Sequence, residues 1–235
     1  MLARRRPVAL SDVLTTDLPA AIVFDLDGTI VDTETIEFES IRDVWAEHGQ
    51  PYTLAQFEHV IGGTGGPPWV DELANVLGTT LDHTTLIARR REIQAEMLIR
   101  MTPRDGVVAL IEEASAAGVP LAIASNSPLY WIESRLAAAD VAHHFSVLVA
   151  IDTASRPKPD PAPYLEACAA LGADPLDSIA FEDSIVGVMS ARAAGLYTIA
   201  CAGPLTTGHD LSAANRVIAS HAEISLADLS RASRR

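Results

Sequence analysis

The sequence predicts an α/β protein, in which a doubly wound and mostly parallel sheet carries an inserted α-helical domain. Two observations predict this class: short apolar runs that end in polar residues recur along the chain, and amphipathic segments separate them. Apolar runs of this kind are typical of strands that are buried on both faces of a parallel sheet. Strands that alternate with helices favour the doubly wound arrangement.

The predicted elements alternate regularly outside one long segment. The predicted strands cover residues 20–24, 120–124, 147–150, 179–181 and 197–200. The predicted helices cover residues 106–117, 128–139, 162–171 and 185–194. Gly118, Gly172 and Gly195 follow three of these helices, at the position where glycine commonly ends a helix. This alternation assigns residues 19–34 and 102–235 to one α/β core domain.

Residues 35–101 interrupt the alternation, because they contain amphipathic helical stretches and no convincing strand. The helical stretches cover residues 36–48, 69–77 and 86–101. We expect a helical domain inserted after the first strand. Ligands of open α/β sheets bind at the carboxyl ends of the strands, where this insertion would begin. It would therefore act as a cap that excludes water and recognises the substrate. Residues 1–18 are expected to form a flexible leader.

The composition argues against several classes of partner. The formal net charge is −14, whereas nucleic acids and anionic membrane surfaces are bound mainly by clustered lysine and arginine. We therefore expect no nucleic-acid partner and no membrane partner. No apolar run is long enough for a signal-peptide core or a membrane span, which favours a cytoplasmic protein. We expect a monomer or a weak homodimer that acts on a small molecule.

Two aspartates, Asp25 and Asp27, follow the first predicted strand. A carboxylate at a strand end can attack a phosphoryl group, and a second one beside it can act as acid and base. Gly28 permits a sharp turn, and Thr29 can hydrogen-bond to nearby backbone or carboxylate. The alternative is a strand-end turn with solvated aspartates. A calcium loop is disfavoured because a buried strand, and not a helix, comes first.

Three later segments add polar residues at comparable positions. Ser125 and Asn126 follow the second strand and, taken alone, are typical of a helix N-cap, which is also an anion site. Lys158 is the only lysine of the chain, and a compact ammonium can bridge a carboxylate and a phosphate. The alternative is a surface lysine. Glu182 and Asp183 follow the fourth strand, where two adjacent acids commonly begin a helix.

These four segments, in this order, resemble the four motifs of the haloacid dehalogenase superfamily, and the likeness covers about residues 20 to 230. The resemblance implies a Rossmann-like core with a helical cap, as in β-phosphoglucomutase, sugar-phosphate phosphatases and phosphoglycolate phosphatases. It implies that Asp25 is the nucleophile, that Asp27 is the acid and base, and that Lys158 is catalytic. It implies phosphate binding by Thr29, Ser125, Asn126 and Lys158. It implies magnesium binding by Asp25, the backbone carbonyl of Asp27, Glu182 and Asp183.

Candidate specificity residues lie in and just before the predicted cap. A glycine-rich segment that contains Gly62, Gly63 and Thr64 has too many glycines for a helix and does not fit the GxGxxG dinucleotide pattern. A substrate-contacting loop and a plain connector are both compatible with it. Glu34 and Glu37 could reach the substrate or simply face water.

The predicted activity is hydrolysis of a small phosphomonoester through an aspartyl-phosphate, with Mg²⁺ and Lys158 offsetting the repulsion between Asp25 and the phosphate. The alternative is a β-phosphoglucomutase-type phosphomutase, but Glu37 stands where the mutase has a cap histidine, and this favours hydrolysis. The dehalogenases lack a second aspartate, and the phosphonate-cleaving relative needs a cap lysine that this chain lacks. A further alternative is a non-catalytic binding module on the same fold.

Overall fold

The computed structural model describes residues 18–57 and 69–232 of the 235-residue chain. Its strands are β1 (Ile22–Phe24), β2 (Leu121–Ala124), β3 (Val147–Val149), β4 (Ile179–Glu182), β5 (Tyr197–Cys201) and β6 (Arg216–Ile218). Its α-helices are α1 (Thr33–Glu47), α2 (Leu54–Phe57), α3 (Trp69–Leu77), α4 (His83–Leu98), α5 (Val107–Ala116), α6 (Leu129–Ala138), α7 (Ala162–Leu171), α8 (Ile185–Ala193) and α9 (Leu226–Ala232). Short 3-10 helices cover Ala142–His144, Pro175–Asp177 and His221–Glu223.

The six strands form one sheet in the order β3-β2-β1-β4-β5-β6, and every neighbouring pair is parallel. The predicted α/β class is therefore confirmed. The chain builds the sheet outward in one direction from β1 to β3 and then returns to the other side of β1 with β4. This reversal leaves a crevice at the carboxyl ends of β1 and β4, which is where open α/β sheets bind their ligands.

Strand β1 lies at the centre of the fold and is fully buried on both faces. Ile22 and Phe24 pack into one hydrophobic cluster, whereas Val23 packs into a second cluster on the opposite face, as the alternation of side chains along a strand requires. The ring of Phe24 stacks on that of Phe181 in β4, with ring centroids 4.9 Å apart. Two covered faces explain why β1 and its neighbour β2 are apolar throughout, without alternating polar residues.

Helices α1 to α4 form a separate layer with a hydrophobic cluster of its own, which includes Ile41, Trp45, Phe57 and Leu73. Helix α1 packs closely on α4. The chain leaves the sheet at Val31 and returns at Pro103, and these two residues pair through their backbones. The outgoing and returning segments therefore lie side by side. The predicted boundary between residues 34 and 35 falls two residues inside α1.

Some predicted elements differ from the observed ones. Helix α1 begins at Thr33 instead of residue 36, because the Asp32 side chain accepts a hydrogen bond from the backbone N–H of Thr35 and caps the helix. Helix α4 begins at His83 instead of residue 86, since Asp82 caps it in the same way. Strand β6 and helices α2 and α9 were not predicted. None of the helices in the described ranges is both long and apolar enough to cross a membrane.

Candidate active site

The centre of the site is a buried lysine held between two carboxylates. Asp25 follows β1, Glu182 ends β4, and Lys158 lies in the loop before α7. Because β1 and β4 are neighbouring parallel strands, their carboxyl ends place the two acids side by side. The ammonium of Lys158 donates to Asp25 Oδ1 at 2.7 Å and to Glu182 Oε1 at 2.6 Å. All three side chains are at least nine-tenths buried, which strengthens the attraction of the lysine for each acid and also the repulsion between the two acids.

Glu182 is held by more than the lysine. The hydroxyl of Tyr164 donates to Glu182 Oε1 at 2.6 Å, and the backbone N–H of Asp183 donates to Glu182 Oε2 at 3.2 Å. A Cβ added at Gly187, in the first turn of α8, would lie only 1.9 Å from the Glu182 carboxylate. Glycine is therefore needed at this position to leave room for the acid.

Asp183 approaches the turn after β1 equally closely. Gly28 has a φ of 85°, which side-chain-bearing residues rarely adopt. A Cβ at Gly28 would lie 2.0 Å from Asp183 Oδ2. The glycine thus serves both the turn after β1 and the close approach of Asp183 to it. Asp183 is consequently brought beside Asp25, as the sequence predicted.

Asp25, Glu182 and Asp183 form a cluster that could hold a metal ion, because each offers a carboxylate oxygen and these oxygens lie within 4.8 Å of one another. All three residues are buried. Buried acids so close together repel, and Lys158 supplies only one compensating positive charge. An all-oxygen donor set is what hard divalent cations prefer. The residues present therefore fit a divalent metal.

The pKa values of the cluster reflect both its burial and its excess of negative charge. Burial raises the pKa of Asp25 to about 7, against the lowering effect of the Lys158 ammonium. Burial also raises the pKa of Asp183 well above its ordinary value, and the neighbouring Asp25 and Glu182 add to this shift. For Lys158, burial acts to lower the pKa, but the carboxylates of Asp25 and Glu182 outweigh it and raise the pKa. A bound cation would stabilise all three carboxylates in their charged form.

Asp27 lies in the same cavity but makes different contacts. Its carboxylate accepts hydrogen bonds from Ser127 Oγ at 2.6 Å and from Trp131 Nε1 at 2.9 Å, and a third from the hydroxyl of Thr33 in α1. None of these three donors was predicted from the sequence. These contacts tie Asp27 both to the segment after β2 and to the first helix of the inserted layer.

The predicted phosphate-binding residues behave differently from one another. Ser125 is buried and lines the cavity, and its Oγ accepts a hydrogen bond from the backbone N–H of Ser127 at 3.0 Å. Asn126 also lines the cavity, but its side chain bonds the backbone of Lys158 on both sides, at 2.9 Å to the N–H and 3.2 Å to the carbonyl. Thr29 is fully buried behind the site and does not line the cavity. The structure thus brings Ser125 to the site, gives Asn126 a positioning contact and keeps Thr29 away.

A cavity of about 320 Å³ lies between the carboxyl ends of the central strands and the helical layer. From the sheet side it is lined by Asp25, Asp27, Ser125, Asn126, Lys158 and Asp183, and from α1 and α4 by Thr33, Glu34, Glu37, Arg90, Arg91 and Gln94. Glu34 and Glu37 are therefore cavity residues, and their contact with the substrate stays a prediction. Gly62, Gly63 and Thr64 lie outside the described residues, as does the leader up to residue 17.

Several site residues were not predicted from the sequence. Arg90 and Gln94 reach the cavity from α4. The one sequence feature that could have indicated Arg90 is the run of three arginines at residues 89–91, on a helix that is polar on most of its surface. Tyr164 carries no motif at all. Arg104 donates to the backbone carbonyls of Gly28, Cys201 and Ala202, the last two at 2.8 and 2.7 Å, and so braces the turn after β1 from behind. A single arginine after the insertion gives no sequence signal for this role.

The sheet topology places the buried acid–lysine centre at the carboxyl ends of parallel strands, which is where α/β enzymes bind their ligands. The model of the haloacid dehalogenase-like hydrolases matches residues 19–195. The chain belongs to this family, which confirms the resemblance seen in the sequence. It is therefore an enzyme, and the alternative of a non-catalytic module is wrong.

The relatives of the chain include two curated phosphatases. The validoxylamine A 7'-phosphate phosphatase of Streptomyces hygroscopicus subsp. limoneus is 31% identical over 191 residues, which cover 81% of this chain and 87% of that protein. The phosphorylated carbohydrates phosphatase of Thermotoga maritima is 30% identical over 181 residues, which cover 76% and 83%. The crystal structure of CbbY from Rhodobacter sphaeroides in complex with phosphate superposes with a TM-score of 0.72 at 28% identity, covering 90% of this chain and 99% of that one.

Proposed function

We propose that this enzyme is a magnesium-dependent phosphatase that hydrolyses a small phosphorylated metabolite, a sugar phosphate or a similar phosphomonoester, through an aspartyl-phosphate on Asp25. The observation that carries the proposal is the contact between Lys158 and Asp25 within a buried acidic cluster that opens to a cavity. The names of the two curated relatives, which act on phosphorylated carbohydrates and on validoxylamine A 7'-phosphate, support the substrate class.

In the first step, a carboxylate oxygen of Asp25 attacks the phosphorus atom, and the bond from phosphorus to the ester oxygen breaks. Lys158 holds the Asp25 carboxylate in place and offsets part of the negative charge that accumulates between carboxylate and phosphate. Ser125 lies beside Asp25 in the lining, where its hydroxyl can donate to a phosphate oxygen. Asp27 gives its proton to the departing alkoxide.

In the second step, water attacks the phosphorus of the aspartyl-phosphate. Asp27 takes the proton from this water, the bond from Asp25 to phosphorus breaks, and inorganic phosphate leaves. Asp25, Asp183 and the backbone carbonyl of Asp27 would hold Mg²⁺, with Glu182 direct or through water, and the ion would supply charge compensation for the phosphoryl group. The helical layer above the site, which we interpret as a cap domain, excludes bulk water while the reaction proceeds.

Purified protein should release phosphate from an aryl phosphate in the presence of Mg²⁺ and not in the presence of a chelator. Asp25→Asn should abolish turnover, because an amide is a far weaker nucleophile than a carboxylate. The matched control is Asp43→Asn, an exposed aspartate on α1, which should leave the rate unchanged. Metal-independent turnover, or an active Asp25→Asn variant, would contradict the proposed mechanism.

The covalent step has its own signature. With an aryl phosphate the leaving group needs no protonation, so Asp27→Asn should still transfer phosphate to Asp25 but hydrolyse the product slowly. Phosphoenzyme should therefore accumulate in this variant and be recovered by acid quench and mass spectrometry at Asp25. Recovery at another residue would reject Asp25 as the nucleophile. Conversion of β-glucose 1-phosphate to glucose 6-phosphate without net phosphate release would establish the mutase instead.

A further inference from the structure

An ion pair in the helical layer faces the proposed catalytic centre across the cavity. Arg90 Nη1 in α4 donates to Glu37 Oε1 in α1. Gln94 Nε2 donates to Glu37 Oε2 at 3.0 Å, so both carboxylate oxygens of Glu37 are engaged. The side chains of Arg90 and Glu37 are only 14% and 25% exposed. Partial burial makes such a pair stronger than the exposed ion pairs of the surface.

The charges that the helical layer brings to the cavity cancel. Glu34 and Glu37 contribute two negative charges to the lining from α1, and Arg90 and Arg91 contribute two positive charges from α4. The arginine nearer the interior, Arg90, is already bonded to Glu37, whereas Arg91 is exposed and its charge is screened by water. This wall therefore offers polar groups for hydroxyls and no excess positive charge for an anion.

We infer that the Glu37–Arg90 pair selects the substrate class: the enzyme takes monophosphate esters of neutral polyols and sugars and rejects esters that carry a second anionic group, a carboxylate or another phosphate. The inference rests on the proposed phosphatase activity. A second anion on the substrate would meet the Glu37 carboxylate and would have to compete with it for Arg90. Repulsion from a partly buried charge raises the free energy of binding of the wrong ligand, and specificity is this difference.

The test uses substrates that differ only in the distal group. Glucitol 6-phosphate and 6-phosphogluconate share one carbon chain and one phosphate ester, but the far end is a hydroxymethyl group in the first and a carboxylate in the second. Glycerol 3-phosphate and 3-phosphoglycerate form a shorter pair of the same kind. The measured quantity is the ratio of kcat/KM for the neutral member to that for the anionic member, with Mg²⁺ present. Wild-type enzyme should favour the neutral member at least about tenfold in one or both pairs.

Glu37→Gln keeps the shape of the side chain and frees Arg90, so the ratio should fall by a factor of about ten or should invert. Arg90→Gln leaves Glu37 uncompensated and should move the ratio in the opposite direction, towards still stronger rejection of the anion. The double variant removes both charges and should return the ratio close to that of the wild type. Because the two single variants should change the ratio in opposite directions, either one alone still tests the inference if the other folds poorly.

The chain contains a matched control on the same two helices. Glu47 in α1 pairs with Arg89 in α4 at 2.7 Å, but this pair is exposed and does not line the cavity. Glu47→Gln should leave the ratio unchanged. An active phosphatase whose ratio does not respond to Glu37→Gln, or responds equally to Glu47→Gln, would overturn the inference. Absence of phosphate release from every ester would instead contradict the proposed function, so the two failures are distinguishable.

Discussion

Lys158 is the buried positive charge at the centre of the site. It is the only lysine of the chain, it is 5% exposed, and it contacts Asp25 and Glu182 at once. The side chain places one positive charge among three buried carboxylates, which leaves the cluster short of positive charge without a cation. Its backbone is in turn fixed by the Asn126 side chain. Position as well as charge therefore matters at this residue.

Replacing Lys158 by Arg keeps the charge but should lower kcat at least about a hundredfold, because a planar guanidinium does not replace a compact ammonium between two carboxylates. Steady-state kinetics with an aryl phosphate and Mg²⁺ measures this loss. Arg156→Lys is the control, since Arg156 lies two residues away, has a side chain that is 72% exposed, and forms an ion pair with Asp160. A near-normal rate for Lys158→Arg would mean that the ammonium is not needed in the reaction.

His221 gives a prediction about stability and pH. It is buried against Phe181, and neither ring nitrogen has a hydrogen-bond partner among the described residues. Burial lowers the pKa of His221 to about 4, and the charge of Arg104 adds to this effect. The unfolded chain, with an ordinary histidine pKa, binds the proton more readily, so folding loses stability as the pH falls from about 6.5 to about 4.

The loss attributable to His221 should amount to about 3 kcal/mol between pH 7 and pH 4. Urea denaturation at the two pH values measures the free energy of unfolding. His221→Phe should remove this share of the pH dependence, because phenylalanine does not titrate. His83→Gln is the matched control at an exposed histidine and should retain it. Equal pH dependence in His221→Phe and wild type would show that His221 titrates normally in the folded protein.

At the scale of elements, the junction of β4 and α8 shows how the fold builds the site. Glu182 ends the strand, Asp183 follows, and Ser184 caps the helix by accepting a hydrogen bond from the backbone N–H of Gly187 at 3.0 Å. The helix thus begins directly against the Glu182 carboxylate. A side chain at position 187 would occupy the space that this carboxylate needs.

Gly187→Ala tests this close approach. In an ordinary helix interior the change would stabilise the protein by about 0.5–1 kcal/mol. Here it should destabilise the protein by about 1–3 kcal/mol and lower kcat at least about tenfold, since the added Cβ displaces Glu182 and with it Lys158. Gly118→Ala is the control: its φ is +78°, but nothing lies within 4 Å of the added Cβ. It should cost stability while leaving kcat unchanged, and equal kcat values for the two variants would contradict the steric argument.

The elements that were predicted from sequence are those with a strong local signal. Buried strands such as β1 and β2 are apolar throughout, β4 is apolar up to its last residue Glu182, and the helices between them carry clear periodicity. Strand β6 was missed because it contains Arg216 and the half-exposed Val217, so that its pairing with β5 depends on the sheet and not on its own composition. Helix α2 has only four residues, too few for any periodicity.

Site residues likewise divide into those with a local sequence signal and those whose contacts depend on the folded structure. Asp25, Lys158 and Glu182 could be predicted because each lies next to an apolar strand or within a stiff loop, in a recognisable order. Trp131 and Tyr164 could not, because their hydrogen bonds to acids far away in the sequence exist only after the sheet has formed. The position of Arg90 in the cavity opposite Asp25 likewise depends on how α4 packs on α1.

At the scale of the whole molecule, an acidic protein is expected to gain stability from the cation that its site can hold. Asp25, Glu182 and Asp183 are buried together, and their mutual repulsion destabilises the folded state relative to the unfolded chain. A ligand that binds only the folded state stabilises it by mass action. If the proposed function is right, activity and stability depend on the same three carboxylates.

Addition of Mg²⁺ should raise the melting temperature, with a gain of about 2.7 kcal/mol when its concentration reaches a hundred times the dissociation constant. Asp183→Asn should melt higher than wild type without metal, because one repulsive charge is gone, and it should lose most of the response to Mg²⁺. Differential scanning calorimetry, with and without a chelator, measures both effects. Na⁺ at equal ionic strength is the control for general screening. A melting temperature that responds equally to both salts would argue against a specific site.

The burial of the sole lysine has a practical consequence for covalent chemistry. Reagents that acylate amines find no exposed lysine on this protein, since the only side-chain amine lies 5% exposed between two carboxylates. Acylation of that amine requires the loop before α7 to open, and it destroys the ion pairs that hold Asp25 and Glu182. The rate at which Lys158 is labelled therefore reports how often the buried acid–lysine centre opens. The same scarcity restricts trypsin to cleavage after arginine, because the one lysine is followed by Pro159 and trypsin does not cleave a Lys–Pro bond.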